Sequence, residues 1–200
     1  MKKAALLLLA FIAGQSLFAG KVKSPLTTTW GERVVFLGDS ITHGGEWEYY
    51  LQLLENLRHP GSGVRMVNAG VSGGTAEGGL RRFETDVLSR RPDRIVTMFG
   101  MNDLFGGLDR IPSYTNNLRK IVDAAAAAKV PLTLVTPTPY DDWGTSETEA
   151  GGASERRNGV LTAGAAACRA LAQAKGVPLI ELHRPLTEAV RTHPADGLIR

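Results

Sequence analysis

The sequence predicts an α/β domain of three layers, α/β/α, around a five-stranded parallel sheet. Three observations carry that expectation. Five short runs rich in Val, Ile and Leu recur along the 200-residue chain, and helix-compatible stretches separate them. The runs are continuously apolar rather than alternating, as in strands buried on both faces. Strands that alternate with helices pair in parallel through right-handed crossovers, which place helices over both faces of the sheet.

Taken in order, the chain opens on a segment to be set apart from the fold. Lys2 and Lys3 make a basic start, "AALLLLAFIAG" is a short apolar core, and Ala19-Gly20 offer a small-residue cut site. That is the layout of a secretory signal peptide, and the apolar run falls short of the roughly 20 residues that span a bilayer. The expectation is a leader over residues 1–19, one domain over residues 20–200, a periplasmic or secreted location and no stable membrane insertion.

The first strand is expected at Arg33–Leu37. "GEWEYYLQLLENL" then places Trp47, Tyr50, Leu51, Leu54 and Leu57 on one helical face. A second strand at Val64–Asn68 leads to "GGLRRFETDVLSRR", a helix that must stop before Pro92. The third strand, Arg94–Phe99, is followed by the helical run "SYTNNLRKIVDAAAAAK", and the fourth by "GVLTAGAAACRALAQAKG", with Gly176 as its end signal. The fourth and fifth strands are placed at Pro131–Thr136 and Val177–Leu182. Between the fourth strand and its helix lies "TPYDDWGTSETEAGGASERRNG", whose length and Gly, Ser and acidic content suit a functional surface loop. Trp143 within it is a candidate to stack on a sugar.

Composition excludes several functions. The formal charge is +3, and Lys2 and Lys3 supply two of those charges, so there is no electrostatic case for nucleic acid or an anionic membrane. The single cysteine, Cys168, cannot form an internal disulfide and suits a small buried hydrophobe. The four histidines show no metal-ligand spacing. Neither G-x-G-x-x-G nor G-x-x-x-x-G-K-[ST] stands where a nucleotide would need it. No cofactor and no metal are expected.

In an open parallel sheet, ligands bind beyond the carboxyl ends of the strands. Three loops are polar there: "GDS" after the first strand, "NAGVSGGT" after the second and "FGMND" after the third. If the first strand lies between the second and third, all three converge on one crevice. A serine at such a turn, near the positive end of a helix, suits acyl transfer. The N–H groups of Ser40 and Gly73 and the Asn102 amide could supply an oxyanion's donors. Each motif also has a plainer role. Ser40, or Asp39 before it, suits a helix cap. Gly70, Gly73 and Gly74 suit a turn, and Asn102 and Asp103 suit the start of the next one.

Together, "FLGDSITHGG", "VNAGVSGGT" and "FGMND" resemble the first three signature elements of the SGNH (GDSL-type) hydrolases. The resemblance runs from about Arg33 to the end of the chain. It implies a flavodoxin-like sheet, Ser40 as nucleophile, and an oxyanion hole of Ser40, Gly73 and Asn102. It also implies an exported serine ester hydrolase acting on a small acyl ester or an acylated carbohydrate.

The family's last signature is D-x-x-H, which supplies the base and its orienting acid. Here Asp196 is followed three residues later by Ile199, so the chain is expected to end before that element and its closing helix arrive. His183 follows the fifth strand and is the least poor substitute; His43, His59 and His193 are worse placed. A chain without a base has a weak nucleophile, with residual catalysis of about 10³–10⁴ over water. A missing closing helix would expose apolar sheet surface. The alternative is a noncatalytic ligand- or carbohydrate-binding protein that keeps the crevice.

Overall fold

The computed structural model describes residues 28–140 and 153–192. The expected leader, Trp143, His193, Asp196 and Ile199 lie outside those residues. Five parallel strands form the sheet: β1 Arg33–Gly38, β2 Arg65–Gly70, β3 Arg94–Met98, β4 Leu132–Val135 and β5 Leu179–Ile180. Their order is β2-β1-β3-β4-β5. β1 therefore sits between β2 and β3, with Gly38 level with both Gly70 and Met98. The loops after these strands open on the same edge, as the convergence argument requires.

Seven helices accompany the sheet among the described residues: α1 Ser40–His43, α2 Glu46–Arg58, α3 Ala76–Arg81, α4 Phe83–Asp86, α5 Ile111–Ala127, α6 Ala153–Lys175 and α7 His183–Thr192. Alternate strand residues face opposite layers. Val35, Leu37, Ile95, Leu132 and Leu134 point to one core, with Phe83, Leu118, Ile121, Leu161 and Cys168 from the helices that follow β2, β3 and β4. Val34, Phe36, Val96, Met98, Val135 and Ile180 point to the other, which α2 closes with Trp47 and Leu51 and α7 with Leu186. The second face is therefore covered, not exposed as the sequence had led us to expect. The segment after β5 folds into α7 and supplies part of the cover.

Cys168 is fully buried in the first core, and burial pushes its thiol up to about 12, as expected of a packing residue. Gly176 ends α6 at φ +64°.

Two helices depart from expectation in extent and one in its buried face. The run 78–91 is not one helix but α3, α4 and a 3₁₀ turn at Leu88–Arg90, broken at Arg82. There the Arg82 guanidinium reaches to the sheet instead of solvent, donating to Ala69 O at 2.6 Å and Gly38 O at 3.0 Å. α6 begins at Ala153, six residues before the expected Gly159. On α2, Leu57 of the expected apolar stripe is 70% exposed, whereas Glu48 is buried.

Candidate active site

β1 carries the chain to the sheet edge at Asp39 and Ser40. Asp39 caps α1, its carboxylate accepting from the Ile41 N–H at 3.0 Å. It is 1% exposed. Burial, with a smaller push from the Asp103 carboxylate, lifts its carboxyl to about 6 against the pull of that hydrogen bond. The capping role thus falls to Asp39. Ser40 is the first residue of α1, exposed, with its hydroxyl unbonded among the described residues. An N–H in the first helical turn has no intrahelical acceptor, so that of Ser40 is open to a ligand.

α1 is docked on β2. A Cβ at Gly70 would fall 2.6 Å from Thr42 C and 2.8 Å from His43 Cα, so only glycine permits this approach. Asn68 bridges the same junction, its amide donating to Thr42 O and its Oδ1 accepting from Gly70 N–H at 2.8 Å.

The loop after β2 is tied to β1 by Val71 N–H donating to Gly38 O at 3.1 Å. Gly73, at φ +72°, has no atom within 4 Å of a Cβ position. Glycine serves there for its backbone angle, which leaves its surface open. The loop after β3 closes the group. The Asn102 amide donates to Gly74 O at 2.8 Å. That bond uses one of its two hydrogens and orients the other. Asp103 Oδ1 accepts from Ala76 N–H at 2.9 Å, while its Oδ2 is buried without a partner. Burial again raises its carboxyl.

The three loops that carry Ser40, Gly73 and Asn102 are therefore joined by direct hydrogen bonds. Sequence reasoning missed the residues that do the joining: Asn68, Arg82 and Asp103. Asn68, which opens "NAGVSGGT", and Asp103, beside Asn102 in "FGMND", stood in motifs the sequence singles out, whereas Arg82 carried no local signal.

No described histidine is bonded to Ser40. His43 points its Nδ1 at Gly70 O, 3.2 Å away, so that nitrogen carries the hydrogen. His59 ends α2, beyond which the chain enters β2 at the opposite sheet edge. His183 is 3% exposed, with Nδ1 3.1 Å from Pro137 O and Nε2 3.0 Å from the Thr162 hydroxyl. Desolvation keeps it below the usual imidazole range. Three strand spacings, about 14 Å, separate the end of β5 from that of β1.

A pocket of about 330 Å³ opens beside Asn102, between the start of α3 and the face of α5. Its outer wall is Phe105. The Arg157 guanidinium stacks on the Phe105 ring at 4.9 Å and on the Tyr140 ring at 4.0 Å. Asn158 fixes Tyr140 from the same helix, accepting from its N–H at 2.8 Å and donating to its carbonyl at 2.9 Å. Among the described residues no group of three or more His, Cys, Asp or Glu could hold a metal, and no helix is long and apolar enough to cross a membrane.

Comparison with known proteins adds to this geometry. The model of the GDSL-like Lipase/Acylhydrolase family matches residues 36–198. An acetylxylan esterase of Geobacillus stearothermophilus is 31% identical over 132 residues, 54% of this chain and 60% of that enzyme. An uncharacterized lipoprotein, YqeF, of Bacillus subtilis is 36% identical over 80 residues, 36% of this chain and 32% of that protein. The matched region thus spans less than two thirds of each of these curated relatives.

Among solved structures, a catalytic mutant of the Geobacillus stearothermophilus acetylxylan esterase superposes with a TM-score of 0.68 at 21% identity, covering 84% of this chain and 83% of that one. A gut microbial diltiazem-metabolizing enzyme gives a TM-score of 0.74 at 22% identity over 86% of this chain and 41% of the other. These two likenesses establish the shared α/β fold.

Proposed function

Because the chain belongs to the GDSL-like lipase/acylhydrolase family, we propose that it hydrolyses carboxylic esters, with Ser40 as the nucleophile. The observation that carries this reading is the division of labour at the start of α1. Asp39 takes the cap, and Ser40 is left exposed and uncommitted on a loop joined by hydrogen bonds to those of Gly73 and Asn102. The Ser40 oxygen attacks the ester carbonyl carbon and gives up its proton to a base. The tetrahedral oxyanion is held by the N–H groups of Ser40 and Gly73 and by the free hydrogen of the Asn102 amide. Collapse expels the alcohol, which takes up a proton, and water then releases the acid and restores Ser40.

No described histidine is bonded to Ser40 to serve as that base. His183 is excluded from the role by its burial and by its two committed ring nitrogens. The alcohol we assign to the substrate is a carbohydrate and the acyl group is acetyl. The support is the name of the acetylxylan esterase relative and the polar lining of the pocket beside Asn102. Export follows from the basic and apolar opening of the sequence, on the same reading.

The test is acetate release from acetylated methyl β-D-xylopyranoside by the purified chain and by Ser40→Ala. Release lost in the variant supports the proposal, and equal release by both overturns it. One observation favours a second reading, a noncatalytic binding protein: no described histidine is bonded to Ser40. That reading predicts sugar binding with no acetate release even from a chain extended through a D-x-x-H element.

A further inference from the structure

The pocket beside Asn102 has walls that the ester chemistry does not use. Arg110, Ser113, Tyr114 and Asn117 recur at i, i+3, i+4 and i+7, so they stack along one face at the start of α5. Tyr114 lies deepest, its hydroxyl spent on Phe99 O at 3.1 Å. The side chains of Arg110, Ser113 and Asn117 make no hydrogen bond among the described residues, so they present an unused guanidinium, hydroxyl and amide in a row. Gly106 lets the first of these lie across its loop, since a Cβ there would fall 2.8 Å from Arg110 Nε.

Phe105 stands at the rim, 71% exposed, yet it is not loose: the Arg157 guanidinium is stacked on its ring and on that of Tyr140. An anchored aromatic beside a row of unpaired donors and acceptors matches the two surfaces of a sugar ring. Its C–H face can lie on the phenyl group, and its hydroxyls can take both donors and acceptors. A fatty acyl chain would need apolar walls. An anion would meet Glu77 and Asp103 in the same pocket. The volume, about 330 Å³, is at the small end of ligand pockets.

We infer that this pocket is a saccharide subsite, in which Arg110, Ser113 and Asn117 bind the hydroxyls of one neutral sugar ring and Phe105 covers its C–H face. The inference deepens the esterase reading by placing the alcohol half of the substrate, and it rests on that reading only for where the ester bond falls.

The test is titration of the full chain with methyl β-D-xylopyranoside, followed by calorimetry and by amide chemical shifts. Wild type and Ser40→Ala are expected to bind alike, with shifts at Phe105 and along the first turns of α5. Asn117→Leu and Phe105→Ala are each expected to bind about 5–10-fold more weakly, the worth of one or two neutral contacts. A urea titration checks that each variant is folded. No binding by wild type overturns the inference, as does equal binding by both variants. Sugar binding with no acetate release, even from a chain extended through a D-x-x-H element, sinks the esterase reading and leaves the subsite standing, whereas acetate release without sugar binding does the reverse.

Discussion

Replacing Gly70 with alanine probes the junction that holds Ser40 in place. Gly70 ends β2 and pairs with Gly38 at the end of β1. The added methyl would meet backbone, not a side chain that could swing away: Thr42 C at 2.6 Å, His43 Cα at 2.8 Å, and the His43 nitrogen closer still. Ordinary contact begins near 3.4 Å, so α1 must retreat by about 1 Å. Overpacking of that kind costs about 1–3 kcal/mol. The retreat also strains the Asn68 bridge between Thr42 O and Gly70 N–H, at about 1 kcal/mol for each hydrogen bond lost.

We expect Gly70→Ala to lose about 2–4 kcal/mol in urea unfolding, a fall in midpoint of about 1 M or more. A 1 Å displacement of a reacting group costs on the order of 10² in rate, so ester hydrolysis should fall by about that factor in the fraction that stays folded. Gly61→Ala is the control. Gly61 has a positive φ of +80° but no atom within 4 Å of its Cβ position, so it suffers backbone strain alone and should keep its activity. An unchanged midpoint together with hydrolysis within about twofold of wild type would refute the claim that Gly70 seats α1.

Three further outcomes follow from the same geometry. Glu48 is 3% exposed, both its carboxylate oxygens lack partners, and burial lifts its carboxyl from 4.5 to about 7. The native state binds that proton more tightly than the unfolded chain, so Glu48 costs stability as pH rises from about 4.5 to about 7. The unfolding free energy of Glu48→Gln from urea titrations should rise relative to wild type across that window, by about 2–3 kcal/mol at its upper end, and an unchanged difference would show that the carboxylate finds a partner. Asn102→Ala removes both the tether to Gly74 O and the proposed oxyanion donor, so kcat should drop about 10²–10³-fold, read with an acetyl ester at saturating concentration. Arg157→Ala removes the guanidinium that lies on both the Phe105 and Tyr140 rings and should cost about 1–2 kcal/mol in urea unfolding, and a value near zero would show the stack to be incidental.

Much of this architecture was legible in the residues. Short continuous apolar runs rich in Val and Ile, spaced by helix-compatible stretches, suit strands buried on both faces, and all five strands overlap the runs the sequence places. The crevice was legible because Gly38-Asp39-Ser40, Gly73 and Asn102 each follow a strand, so one fact about strand order unites them. What escaped was set by tertiary contact. Arg82 looks like an exposed helix residue, yet its guanidinium serves two strand carbonyls and breaks the helix it sits in. Asn158 looks like loop, but its amide clamps the Tyr140 backbone from inside α6. Leu57 fits the apolar stripe of α2 and still faces water, because periodicity marks a face but not how far along it the packing extends. The even choice between nucleophile and cap at Ser40 could not be settled locally either. The side chain of Asp39 settles the capping half of it.

If Ser40 is the nucleophile, a fluorophosphonate ester should label it, with the adduct located by peptide mass. A single phosphonyl group is expected on Ser40, absent in Ser40→Ala and formed more slowly in Asn102→Ala. An adduct on another residue, or acetyl-ester hydrolysis by Ser40→Ala at the wild-type rate, would contradict it.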